Sequence, residues 1–199
     1  MNHKRMLRTC IVLLPLLSAG CFGNNPATSD IGSDLLSIKK DAIEISVPKS
    51  WREVQEDDFK YLGKNVVVAY SSLNYTNGFA NNITVTKEPL PQAFTSLEYA
   101  DANIINSGRF LDDYTKIDEK PVTFKDANNQ DIATKMHIFE ARMDKFEKLR
   151  KYFQLYATQG TIGYTVTVVT TIDEQDTSKF ENLLKTFHIV ASQQNENQS

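Results

Sequence analysis

Residues 164–171, Tyr-Thr-Val-Thr-Val-Val-Thr-Thr, constrain the fold more than any other stretch of the chain. Branching at Cβ restricts χ1, weakens helix formation and suits the pleated surface of a sheet, where such side chains pack against cross-strand neighbours. A strand cannot satisfy its own backbone N–H and C=O groups, so this one needs partners. The rest of the chain supplies them. Ile43, Ile45 and Val47 alternate with Glu44 and Ser46 until Pro48 interrupts the pattern before Trp51, and Val66, Val68 and Tyr70 form a second alternating run. Asn77-Gly78 predicts a turn because both residues tolerate positive φ, and the strand pattern resumes over residues 83–85, which together predict a hairpin with a somewhat extended loop. Three more strands are expected around 120–124, 132–142 and 149–157, with turns at 126–129 and at Gln159-Gly160.

Two segments change period. Within residues 95–107, Leu97, Ala100, Ile104 and Ile105 recur at helical spacing, Thr95 and Glu98 form a candidate capping box, and Gly108 is placed to end the helix. Near the C-terminus Phe180, Leu183, Leu184 and Phe187 make one apolar stripe, with Ser178 and Glu181 as a second candidate capping box. Burying those four side chains would contribute roughly 6 to 12 kcal/mol before conformational entropy is subtracted. Lys185 and His188 suit the negative end of that helix.

The two ends of the chain read differently. Lys4, Arg5 and Arg8 precede a short apolar run over residues 10–17, too short to cross a bilayer, which takes about 20 apolar residues, and laid out like a cleavable secretory leader. Leu17, Ser18, Ala19 and Gly20 before Cys21 resemble the bacterial lipobox, with Ser18 where Leu is usual. That resemblance implies cleavage after Gly20 and lipidation of Cys21. Cys21 is the only cysteine outside the leader, so it has no intramolecular disulfide partner, and acylation accounts for it. Two or more acyl chains anchor stably, which puts the mature protein on a membrane surface of the cell envelope. Phe22 in place of Asp leans towards the outer membrane where there is one. Residues 21–34 read as a polar tether, 35–191 as one globular domain, and 192–199 as a polar tail. Loss of the leader removes three of the 22 basic residues and none of the 25 acidic ones, leaving a formal charge of −6, which lacks the footprint of a nucleic-acid binder.

The order of elements, the Pro48-Lys49-Ser50-Trp51 start, the segments Gln154-Leu155-Tyr156-Ala157 and Gly163-Tyr164-Thr165-Val166-Thr167, and the close at Leu183-Leu184-Lys185-Thr186-Phe187 resemble PsbP-related and DcrB-like bacterial lipoproteins of the Mog1/PsbP-like fold. The resemblance implies an α+β domain, an antiparallel sheet flanked by helices in an α/β/α sandwich. These motifs carry packing rather than chemistry, and the plant relatives' role in photosystem II is not transferred.

Chemistry-bearing residues are sparse. His137 and His188 are the only histidines outside the leader, and zinc usually takes three or four Cys, His or carboxylate ligands. A hydrolase built on His137 would require a buried serine and a carboxylate converging on its ring. Asp57-Asp58 and Asp112-Asp113 are acidic pairs without calcium-loop spacing. Arg142, Lys145, Lys148, Arg150 and Lys151 form a basic cluster suited to lipid headgroups, an acidic partner or a solvated hairpin end. Tyr75 and Phe79, set among Asn, Thr and Gly, either display rings in a binding loop or cover the sheet. The expectation is a noncatalytic, lipid-anchored envelope module without cofactor or metal, with a candidate binding surface at Tyr75, Phe79, Lys148 and Arg150. A protein of the envelope is its expected partner. Small-ligand or calcium binding, and less favoured an envelope hydrolase, stand as alternatives.

Overall fold

The computed structural model describes residues 34–55 and 65–191; the leader, the lipobox with Cys21, nearly all of the tether, the tail and Asp57-Asp58 lie outside the described residues. Ten strands form one sheet: β1 (Leu35–Lys40), β2 (Ile43–Pro48), β3 (Trp51–Glu53), β4 (Val66–Thr76), β5 (Phe79–Pro89), β6 (Asp112–Lys125), β7 (Asp131–Arg142), β8 (Arg150–Gln159), β9 (Ile162–Thr171) and β10 (His188–Ile189). Their order across the sheet is β1-β2-β10-β6-β7-β8-β9-β5-β4-β3. Every pairing is antiparallel except β10 with β6, which meet in parallel at His188 and Lys125. The strand richest in Val and Thr, β9, lies inside the sheet between β8 and β5, with nine of its ten residues buried.

Helix α1 (Ser96–Phe110) lies on one face of the sheet and α2 (Ser178–Leu184) on the other. The pleat of β8 separates the layers. Phe153, Leu155 and Ala157 join Phe180, Leu183, Leu184 and Phe187 in the large apolar core, whereas Tyr156 packs with Tyr99 and Ala100 of α1. Phe187 lies beyond the helix but fills the same core as the stripe predicts.

Several local expectations are corrected. The β4–β5 connection is not an extended loop but a two-residue turn, Asn77 at φ 52° and Gly78 at φ 74°, the double positive φ that matches strand twist in a tight hairpin. The Thr95–Glu98 capping box forms, with Glu98 N–H donating to Thr95 Oγ1 at 3.2 Å and Thr95 N–H to Glu98 Oε2 at 2.9 Å. Yet α1 runs through Gly108 to Phe110; the missing Cβ there makes room for the Tyr114 ring, 3.3 Å away from where it would stand. The second capping box does not form. The N-cap of α2 is Thr177, Ser178 donates to Asp176, and Glu181 instead accepts two hydrogen bonds from Lys120. His188 is a strand residue rather than a helix terminus.

Candidate functional site

The face under α1 is unusually polar for a core. The helix turns Ser96, Tyr99, Ala100, Asn103 and Ser107 inward and leaves Leu97 and Ile105 exposed, a face rotated from the apolar spacing. The cause is the sheet beneath, which presents His137, Gln154, Thr165 and Thr167, all buried. A polar helix face there satisfies groups that an apolar one would strand.

His137 is central to this layer. In β7 it sits between Glu119 of β6 and Gln154 of β8. Its Nε2 lies 2.9 Å from the Tyr114 hydroxyl and its Nδ1 3.4 Å from the Tyr156 hydroxyl. Tyr156 donates to Gln154 Oε1 at 2.6 Å, and Gln154 Nε2 donates to Thr167 Oγ1 at 3.1 Å. Because the Tyr156 proton is already committed to Gln154, the network assigns the His137 proton to Nδ1 and leaves Nε2 to accept from Tyr114. Burial pushes the imidazole pKa down to about 4, opposed by the Glu119 carboxylate and reinforced by Lys116. Burial likewise raises the Tyr156 phenol well above its ordinary value. Near neutral pH this is a neutral imidazole held between two protonated phenols. Among the described residues neither a serine hydroxyl nor a carboxylate is hydrogen-bonded to it.

From His137 a row of rings leads to one end of the sheet. His137 stacks on Phe139 at 4.5 Å between centroids, and Phe139 on Tyr152 at 4.8 Å with planes only 8° apart. Phe79 packs in the same cluster as Phe139, Ala141, Tyr152 and Val169, and the Arg150 guanidinium lies 4.1 Å from the centre of its ring. The basic cluster and the aromatic turn segment, distant in sequence, thus meet through Arg150 and Phe79. Burial lowers the Arg150 pKa, with Tyr152 and Glu147 opposing. A ring that accepts a partly desolvated guanidinium stabilises it by a cation–π contact of about 0.5 to 2 kcal/mol. Phe79 therefore covers the sheet, whereas Tyr75 across the hairpin and Lys148 in the 143–149 connection are exposed.

The remaining candidates are dispersed. Asp113 pairs with Arg142 at 2.5 Å, and among the described residues no cluster of three or more His, Cys, Asp or Glu is arranged to hold a metal ion. No helix of the described residues is long and apolar enough to cross a membrane. Sequence reasoning missed Tyr114 and Tyr156 as partners of His137, and Gln154 as the acceptor for Tyr156. The alternation of Tyr152, Gln154 and Tyr156 in one strand was the available signal.

No family profile matches the chain, and neither does any curated protein. Solved structures do. The solution structure of cyanobacterial PsbP (CyanoP) from Synechocystis sp. PCC 6803 superposes with a TM-score of 0.54 at 17% identity, over 88% of this chain and 99% of that one. The Saccharomyces cerevisiae Ran-binding protein Mog1p follows at a TM-score of 0.48 and 12% identity, over 79% of this chain and 97% of that one. A protein of unknown function from Pseudomonas aeruginosa, PA94, gives 0.48 at 8% identity, over 77% and 92%. The CyanoP superposition, together with a large curled sheet carrying one helix on each face, shows that this chain has the Mog1/PsbP-like fold.

Proposed function

We propose that the protein is a lipid-anchored, noncatalytic module of the bacterial cell envelope that engages another envelope component through the end of the sheet where Arg150 meets Phe79. The observation that carries this reading is the convergence of exposed Tyr75 and Lys148 with that guanidinium–ring pair at one end of the domain. Aromatic and Arg side chains at a partly dry surface are the groups that contribute most to recognition. The anchor itself is supported by residues 17–21 and by Cys21 being the only cysteine outside the leader. The hydrolase alternative gains no support from His137, whose hydrogen-bonding partners are tyrosines.

Two measurements test the proposal. The mature N-terminus should carry acyl groups on Cys21, and Cys21→Ser should move the protein to the soluble fraction; a Cys21→Ser protein that stays membrane-bound refutes the anchor. A photo-cross-linker replacing Tyr75 in intact envelopes should capture an envelope component that the same group at Asn128, in the β6–β7 turn, does not. Equal capture at both positions refutes the binding surface.

A further inference from the structure

Five bulky apolar side chains project from this same end of the sheet. Phe146 in the 143–149 connection is 87% exposed, Phe110 at the end of α1 71%, Leu73 60%, Tyr75 44% and Ile172 39%. Strand register brings them together: Arg150 lies opposite both Ala141 and Thr171, Asp112 opposite Arg142, and Asn77 donates to Asp173. They come from four separate stretches of the chain: β4, the end of α1, the 143–149 connection and the segment after β9.

Phe146 is held outward by its own turn. Its N–H donates to Asp144 Oδ1 at 2.7 Å, Glu147 N–H donates to the Asp144 carbonyl at 3.1 Å, and Arg142 Nη1 donates to the Glu147 carbonyl at 2.6 Å. Lys145 Nζ lies 5.0 Å from the ring centre. Of the acidic groups nearby, Asp113 is paired with Arg142, Glu174 with Lys179, Asp173 accepts from Asn77 and Asp144 accepts the Phe146 N–H, while Asp112 and Glu147 form no salt bridge among the described residues. Lys145 and Lys148 pair with no carboxylate among the described residues. An aromatic crest with ammonium groups beside it matches a bilayer interface, where rings settle at headgroup depth and cations meet anionic phosphates.

The path of the chain selects the same end. Strand β1 is antiparallel to β2, β2 is antiparallel to β10, and β10 is parallel to β6, so β1 runs in the sense of β6. Strand β6 begins at the Phe146 end, so the chain enters β1 from that side. Leu35 pairs with Pro48, four residues along β2 from Glu44, which is level with His188 and Lys125; it therefore lies about nine strand residues, or about 30 Å, from Asp112. The thirteen peptide steps between Cys21 and Asp34 span at most about 47 Å, enough to reach the plane of Phe146.

We infer that the Phe146 end of the sheet lies against the bilayer that holds the lipid anchor, with Phe146 in the interface and Lys145 and Lys148 on anionic headgroups. The inference rests on the lipid-anchor reading above and names lipid as the component met at this end. Its test uses the full mature, acylated chain in protein-free vesicles containing phosphatidylglycerol, with an environment-sensitive fluorophore on Lys148→Cys or, as control, on Asn128→Cys. Emission at 148 should shift to the blue and be quenched by a lipid-borne quencher several-fold more strongly than at 128. Phe146→Ser in the Lys148→Cys background should remove most of that quenching; position 146 is exposed, so the fold tolerates it. Vesicle-bound protein quenched equally at 148 and 128 overturns the docking and leaves the anchor standing. Protein that carries no acyl group and fails to float with vesicles overturns both. Protection at 148 seen in native membranes and absent from protein-free vesicles assigns this end to a protein partner and overturns the lipid inference.

Discussion

Among individual residues, His137 couples the fold most directly to pH. Its pKa falls from about 6.5 when unfolded to about 4 when folded, so the folded state binds fewer protons between those values. Its contribution to stability is full above pH 6.5 and is lost as pH falls through that window towards 4. Between pH 7 and pH 5 the loss comes to about 2 kcal/mol. Glu44 and Glu119, whose pKa values are lowered by hydrogen bonds from Ser37 and Lys135 respectively, lose their contributions only below about 4.5, outside that comparison. Urea midpoints measured at pH 7 and 5 should therefore fall for the native protein and stay nearly level for His137→Gln; an equal fall in both assigns the effect elsewhere. Gly163 is a second residue whose role is local. A Cβ there would stand 2.7 Å from the Tyr99 ring, which is buried and hydrogen-bonded through its hydroxyl to Glu88 at 2.6 Å. Gly163→Ala should cost about 1 to 3 kcal/mol in equilibrium unfolding, as overpacking does where the neighbour cannot yield. The sequence marks His137 as buried or exposed only ambiguously, because alternation in 132–142 assigns residues to two faces without saying what covers each.

At the scale of elements, legibility followed the strength of local chemistry. The first helix was readable from Thr95 and Glu98 because a capping box is a short-range device, and Thr95→Ala should destabilise the protein by about 1 kcal/mol in urea titration. The face of that helix was not readable, since it is set by the polar sheet surface beneath. The hairpin at Asn77-Gly78 was legible as a turn but not as a tight one; strand pairing reaches Thr76 and Phe79, which leaves only two residues in the connection. Gly78→Ala, at φ 74° with open space around the missing Cβ, should cost about 1 kcal/mol from backbone strain alone. The first half of β6 is not legible in the sequence because residues 112–119 alternate weakly and are mostly exposed. That strand is edge-like: β10 reaches it only at Lys125, Pro121 offers no N–H, and the Asp118 carboxylate accepts the Glu119 N–H at 2.8 Å. Two residues of β10 are too few to show any period.

For the whole molecule, the two faces of the sheet differ in the physics that holds them. The α2 face is an apolar core in which Phe180 is fully buried and meets Phe153 at 5.5 Å between centroids. The α1 face is a hydrogen-bonded layer whose groups depend on one another. Chains with both layers on one continuous sheet should still unfold as a unit, because β8 contributes side chains to each. The two faces should nonetheless fail differently. Phe180→Ala removes a large ring from a dry site and should cost about 3 to 5 kcal/mol at both pH 7 and pH 5, since it leaves the His137 network on the opposite face intact. Tyr156→Phe keeps the ring but removes the hydroxyl that Gln154 accepts from and that the His137 Nδ1–H donates to; stranding those buried groups should cost about 1 to 3 kcal/mol. It should also change the pH dependence, because an imidazole without an acceptor at Nδ1 no longer has its tautomer fixed. Unfolding of both variants at pH 7 and pH 5 separates the cases. Phe180→Ala should keep the native drop between the two pH values, and Tyr156→Phe should alter it; parallel curves for Tyr156→Phe would show that the buried network around His137 is not the origin of the acid sensitivity.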